Sequence, residues 1–162
     1  EWITRLLDYD HYVSDKYFGG TKFKDGTMAR KVLAKYTDEE KALLPDIALL
    51  LADGAKLPYE EPLDEEKREE LLSLYYNDDL DFEDGRSCIE CHDIDSEDEG
   101  SAPDLTGYAS RDWLIEFIGN PEDDRFYGKK NDRMPCYARD GKLKPEEIAI
   151  LADWIRSNPA EF

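Results

Sequence analysis

Residues 87–93 read SCIECHD: two cysteines bracket a dipeptide, and a histidine follows the second directly. Three chemistries use a CxxC. It can ligate zinc, run thiol–disulfide exchange, or anchor a haem through two thioethers. Zinc wants four ligands on a tetrahedron, usually as two separated pairs. Beyond Cys88 and Cys91 the candidates are His92, Cys136 and His11, and there is no second CxxC. His92 adjoins Cys91, a poor spacing for two ligands on one ion. A redox dithiol belongs at a helix start beside strands, and no strand pattern flanks this motif. Two buried thiols without a chemical role are the bland alternative. Only the haem reading uses the histidine: the thiols add across two vinyl groups, and the next side chain becomes an axial iron ligand.

Such a haem needs a sixth ligand and a pocket. The chain has two methionines, Met28 and Met134. A thioether suits low-spin iron, whereas a lone methionine more often fills a gap in a core. Met134 stands in NDRMP, between two expected helices, and this loop position favours ligation.

The elements that must hold these residues read as all-α with long loops. EWITRLL at 1–7 suggests a short helix. Thr37, with Glu40 three residues on, forms a capping box for a helix in which Pro45 should force a kink or a split. Asp64 caps EEKREELLSLYY, with Leu71, Leu72 and Tyr75 on one face. Ser110 caps RDWLIEFIG. Pro145 opens PEEIAILADWIRS, with Ile148, Leu151 and Ile155 on one face. Residues 54–63, with Pro58 and Pro62, read as a linker between segments 1–53 and 64–162. Cys136, left over from the motif, reads as a small buried hydrophobe.

The chain also repeats itself. EWITRLL at 1–7 resembles DWLIEFI at 112–118, and DKYFGG at 15–20 resembles DRFYGK at 124–129. KDGTM at 24–28 stands where NDRMP stands at 131–135, and TDEEKALL at 37–44 matches KPEEIAIL at 144–151. The order agrees throughout, and Met28 falls opposite Met134. Only the second copy is preceded by CIECH.

Composition narrows the function. The 162 residues carry a formal charge of −19. That argues against nucleic acid, whose phosphates would be repelled, and favours basic protein partners. No apolar run is long enough to span a membrane. The chain opens on Glu1 rather than on methionine, as a mature product or a fragment would. Acidic residues dominate 60–99. Lys129, Lys130 and Arg133 flank Met134, and Lys16, Lys22 and Lys24 precede Met28. A solvated mixed surface is the plain reading of such runs; steering of a redox partner is the sharper one.

Residues 64–158 resemble a class I cytochrome c. They run in that family's order: helix, CIECH, APDLTG, middle helix, methionine loop, terminal helix. The resemblance implies haem c on Cys88 and Cys91, with His92 and Met134 as axial ligands. It also implies a carbonyl from Pro103 on the far nitrogen of His92, and Leu105 against the haem. Tyr108 and Trp113 match as pocket walls or propionate partners, with ordinary aromatic core as the alternative. Both axial positions would then be filled, so the implied role is electron carriage, with no catalytic residue.

More narrowly, EWITRLL…FGGTKFKDGTM and SRDWL…FYGKKNDRMP are similar to the tandem cytochrome c portion of bacterial cytochrome b/Rieske-type quinol:cytochrome c reductases. This implies an extracytoplasmic, periplasmic-side place in a respiratory chain, with membrane cytochrome b and Rieske subunits as partners. It makes residues 1–53 the back half of a second haem domain. Met28 would be the ligand of a second haem whose CxxCH lies outside this chain. A free-standing monohaem or dihaem cytochrome c, or a haem peroxidase with an open iron position, is the alternative reading.

Overall fold

A computed structural model describes residues 2–76, 86–95 and 100–157. Among these residues every regular element is helical, as the capping and periodicity signals imply. The chain divides into two compact units, residues 1–50 with 63–90 and residues 51–62 with 91–162. The division is interleaved, whereas the sequence suggested three consecutive stretches.

In the first unit, α1 (Trp2–Leu6) is followed by a one-turn α2 (Tyr9–Tyr12), capped by Asp8 through the amide of His11 at 3.1 Å. Aromatic packing stabilises the following turn: Tyr12 and Phe18 stack at 4.8 Å, and Phe23 meets Phe18 edge-on at 5.9 Å. A single π-helical turn then spans Met28–Val32.

The helix α3 (Asp38–Ala55) begins at the expected capping box. Thr37 N donates to Glu40 Oε2 at 2.7 Å, and Glu40 N donates to Thr37 Oγ1 at 3.2 Å. Pro45 does not split α3. Proline removes one helical hydrogen bond, but Pro45 lies on the exposed side, where water can reach the freed carbonyl. Leu44, Ile47, Ala48 and Leu51 are buried on either side of it. The helix therefore runs four residues past Leu51, into the stretch that the sequence suggested as linker.

The helix α4 (Glu65–Tyr76) is capped by Asp64 through Lys67 N at 2.8 Å and buries Leu71 and Tyr75.

The second unit is built on α5 (Arg111–Gly119) and α6 (Pro145–Ser157). Ser110 caps α5 through Trp113 N at 3.3 Å. Trp113, Leu114, Ile118, Phe126, Ile148 and Ala152 form the shared core. The buried stripe of α6 is thus Ile148 and Ala152, four apart. Leu151 and Ile155, expected to be inward, are 38% and 44% exposed. The aromatic mass of α5 selects a narrow face with a small residue, Ala152, at close approach. Arg111 clamps Asp153 with two nitrogens at 2.7 and 3.1 Å. Arg156 Nη2 donates to the Ala55 carbonyl at 3.0 Å and to that of Lys56, satisfying open carbonyls at the end of α3.

The repeat is visible in the backbone. In the first copy Tyr17 N bonds Ser14 O, Phe18 N bonds Tyr12 O, Gly19 N bonds Ser14 O and Thr21 N bonds Phe18 O. In the second, Phe126 N bonds Asp123 O, Tyr127 N bonds Pro121 O, Gly128 N bonds Asp123 O and Lys130 N bonds Tyr127 O. Residue for residue these are one pattern. One half of the capping box recurs as well: Lys144 N donates to Glu147 Oε2 at 2.8 Å, as Thr37 N does to Glu40, while the lysine has no side-chain acceptor to return the bond. Between these ends the copies diverge. Met28 opens a π-helical turn, whereas residues 131–136 around Met134 hold no helix.

Candidate haem site

The unit division falls between Glu90 and Cys91, so each half of the motif is described with its own unit. Cys88 opens a 3₁₀ turn, Cys88–Glu90. In such a turn side chains three apart eclipse, so the CxxC spacing is suited to two bonds to one planar group. All three cysteines are free of disulfides; Cys88 and Cys91 are half-buried and Cys136 is buried. Near Cys88 in the first unit lie residues that the sequence had not connected with the motif. Tyr36 Oη donates to the Arg86 carbonyl at 3.2 Å, and Arg86 Nε meets Glu40 Oε1 at 3.0 Å. Burial, and then the neighbouring Cys88 thiol, push the Tyr36 phenol well above its ordinary range, so it remains a donor.

In the second unit the stretch after the motif is zipped to the loop 100–106. Ala102 N donates to Cys91 O at 3.0 Å, Leu105 N to Asp93 O at 2.8 Å, and Asp95 N to Thr106 Oγ1 at 2.8 Å. Gly100 is required by this approach: a Cβ there would come within 2.4 Å of Cys91 O. At the centre of the zipper His92 Nδ1 lies 2.7 Å from the Pro103 carbonyl oxygen. A carbonyl only accepts, so Nδ1 carries the proton and the lone pair is on Nε2. Burial holds the imidazole below its usual pKa, against the Pro103 carbonyl and the Asp93 charge, which raise it. The ring is therefore neutral and oriented, as a metal ligand must be.

The loop that presents Pro103 is held by Arg125. Its Nε bonds Asp104 Oδ2 at 2.9 Å, its Nη2 bonds Thr106 O at 3.0 Å, and its Nη1 bonds Glu116 Oε2 at 2.5 Å. Trp113 Nε1 reaches Asp104 O at 3.4 Å. The partners of Arg125 are distant in sequence, so no local signal marked it. Leu105 is half-buried. Tyr108 and Trp113 meet edge to face at 4.9 Å, with Phe117 and Phe126 on the same indole. Burial raises the Tyr108 and Tyr127 phenols above their ordinary value, so both remain hydrogen-bond donors at neutral pH.

Met134 is half-buried and packs against the Trp113 core. Its carbonyl accepts from Asn131 Nδ2 at 2.7 Å. Lys130 Nζ donates to Ser101 O at 2.7 Å, tying the methionine loop to the loop that carries Pro103. Met28, in the first unit, is half-buried, and Ala29 and Leu33 beyond it are buried.

These residues fit haem c. The second unit holds the Cys91 thiol, a neutral imidazole with its lone pair on Nε2, a thioether against an aromatic core and half-buried phenolic donors, and the sequence adds a second thiol at Cys88. Among the described residues no three His, Cys, Asp or Glu side chains gather as a metal-ion site.

Comparison with known families agrees. Residues 82–159 match the family model for cytochrome c. No curated protein and no solved structure matches the chain. The matched span takes in Cys88, Cys91, His92 and Met134 together with α5 and α6, and with the helical elements it supports the class I cytochrome c fold, in which haem c is covalently bound.

Proposed function

We propose that the chain carries haem c on Cys88 and Cys91, with His92 and Met134 as axial ligands. The observation that carries this reading is the His92 Nδ1 to Pro103 carbonyl contact, which orients the imidazole and selects its tautomer. Bound haem c supplies a one-electron iron couple, and histidine with methionine ligation raises its potential. Pro103 fixes His92 and makes it a stronger ligand. Asn131 shapes the backbone that presents the Met134 thioether. Leu105, Tyr108 and Trp113 wall the pocket against water, and the phenol of Tyr108 can donate to a propionate. With both axial positions occupied by protein, the function is electron transfer rather than turnover of a substrate.

The finer reading places the chain as a cytochrome c subunit, or part of one, in a quinol:cytochrome c oxidoreductase on the periplasmic side. The acidic net charge suits a basic redox partner, and among the described residues no helix is long and apolar enough to cross a membrane. The N-terminal repeat supports reading residues 1–53 as the back half of a second domain. Met28 would then ligate a second haem supplied with a CxxCH from another polypeptide.

Intact mass and a pyridine haemochrome spectrum test the first reading. One covalent haem per isolated chain is expected, with a sharp low-spin α-band on reduction. Haem that extracts into acid–acetone would overturn it. Co-purification with membrane cytochrome b and Rieske subunits, with two haems per assembled chain, is expected for the finer reading; assembly without either would sink it.

A further inference from the structure

One carboxylate holds the methionine loop from both sides. Asn131 Nδ2 donates to the Met134 carbonyl at 2.7 Å, and the same nitrogen lies 3.4 Å from Glu122 Oε1. An amide nitrogen has two hydrogens, one for each. Both partners only accept, so their chemistry fixes the orientation of the Asn131 amide. Past the methionine, Arg139 Nη1 donates to Glu122 Oε2 at 2.6 Å, and the buried Cys136 thiol donates to the same carboxylate. Arg139 is also braced by Asp140 Oδ1 at 3.2 Å, in a turn whose Ala138 N bonds Gly119 O, at the end of α5, at 3.0 Å. All of these residues belong to the second unit, as His92 does.

Arg139 first, and then Asn131, hold the Glu122 carboxyl below its usual range, so it is ionised at neutral pH. Its side chain is 41% exposed, and an exposed ion pair adds little to global stability. Its effect is geometric: it joins residues 131, 136 and 139 across Met134, in a stretch where 131–136 hold no helix. The first copy gives the contrast. Its aromatic turn has the same hydrogen bonds, which set Val13 in the place of Glu122. A valine side chain offers no acceptor, and in that copy Met28 opens a π-helical turn.

We propose that Glu122 is a positioning residue for the Met134 thioether: through Asn131, Cys136 and Arg139 it holds the loop in the conformation that presents the sulfur as a ligand. The inference rests on axial ligation by His92 and Met134, both in the second unit. Loss of the carboxylate removes one tether from Asn131, ahead of the methionine, and one each from Cys136 and Arg139 behind it. The loop then opens more often. Opening has two consequences. The sixth position on iron becomes available to an added ligand, and the Cys136 thiol, 1% exposed in the closed loop, meets solvent.

The test uses the full haem-loaded chain, in which the motif cysteines are bonded and Cys136 is the remaining thiol. Two rates are measured for wild type, for Glu122→Ala and for Arg111→Met, a control that removes an exposed ion pair elsewhere in the same unit. One is cyanide binding to ferric haem at neutral pH, where the added ligand is uncharged. The other is labelling of Cys136 by a maleimide. Both should rise at least about threefold in Glu122→Ala, the scale of one exposed ion pair, and neither should rise in the control. Should Glu122→Ala not load with haem, Glu122→Gln takes its place with the same expectation. Unchanged rates, a rise in only one, or an equal rise in the control would overturn the proposal. Wild type with covalent haem but no thioether-to-iron charge-transfer band would instead overturn ligation by Met134, and this inference with it.

Discussion

The two copies of the repeat agree in their scaffold and differ at their methionines. The aromatic turns at 12–21 and 121–130 share one hydrogen-bond pattern, and in both copies a glutamate accepts from the backbone N–H three residues before it. Yet Met28 opens a π-helical turn, whereas Met134 stands in a non-helical loop whose backbone Asn131 holds. The lesson is that turns and caps survive duplication because they satisfy backbone groups locally. The methionine segments between them do not share one conformation.

The sharpest way to break this comparison is to remove each thioether. Met134→Ala should retain covalent haem, lose the thioether-to-iron charge-transfer band, bind cyanide or carbon monoxide readily and fall in potential. Met28→Ala in the isolated chain should leave the spectrum and the potential unchanged. A spectral change from Met28→Ala would show that the first copy ligates iron without help from another polypeptide.

Next come the two capping glutamates. Glutamine still serves a capping box, so Glu147→Gln should cost within about 0.5 kcal/mol. Glu40→Gln breaks a buried ion pair and should cost about 3–5 kcal/mol. Denaturant unfolding measures both, and equal costs would remove the distinction drawn between them.

The equivalent glycines should fail for different reasons. A Cβ on Gly19 would lie 2.4 Å from Val13 O and 2.6 Å from Ser14 C, both backbone atoms. Gly19→Ala should therefore cost toward the upper end of the ~1–3 kcal/mol typical of overpacking. Gly128 has φ +50°, with its nearest obstacle a side-chain oxygen of Asp124 at 3.1 Å, so Gly128→Ala should cost about 1–2 kcal/mol. Thermal unfolding of the two variants gives the order.

The smallest effect belongs to the exposed Arg111–Asp153 pair of the second copy. Arg111 holds the Asp153 carboxyl below its usual 3.8. A depressed carboxylate pKa contributes stability that is present above the unfolded value and lost as pH falls through the folded one. Wild-type protein should lose melting temperature below about pH 3.8, and Arg111→Met should show a shallower acid limb.

How much could be read from residue order alone follows the same division between local and distant bonding. The Thr37–Glu40 box, the Asp64 and Ser110 caps and the all-helical class were legible, because each depends on atoms three or four residues apart. The CIECH spacing pointed to haem attachment for the same reason. The α6 stripe was misjudged, and of the two outcomes read for Pro45 the split does not occur. Whether a proline splits a helix depends on which side meets water, and whether Leu151 or Ala152 turns inward depends on the bulk of α5. The site was legible as a motif, a loop and a set of candidate side chains, but not as an arrangement. Arg125 joins Asp104, Glu116 and Thr106 across intervening loops, and Tyr36 and Glu40 meet Arg86 from far earlier in the chain. Such bonds form only once apolar burial has brought distant backbone together, and no spacing in the sequence encodes them.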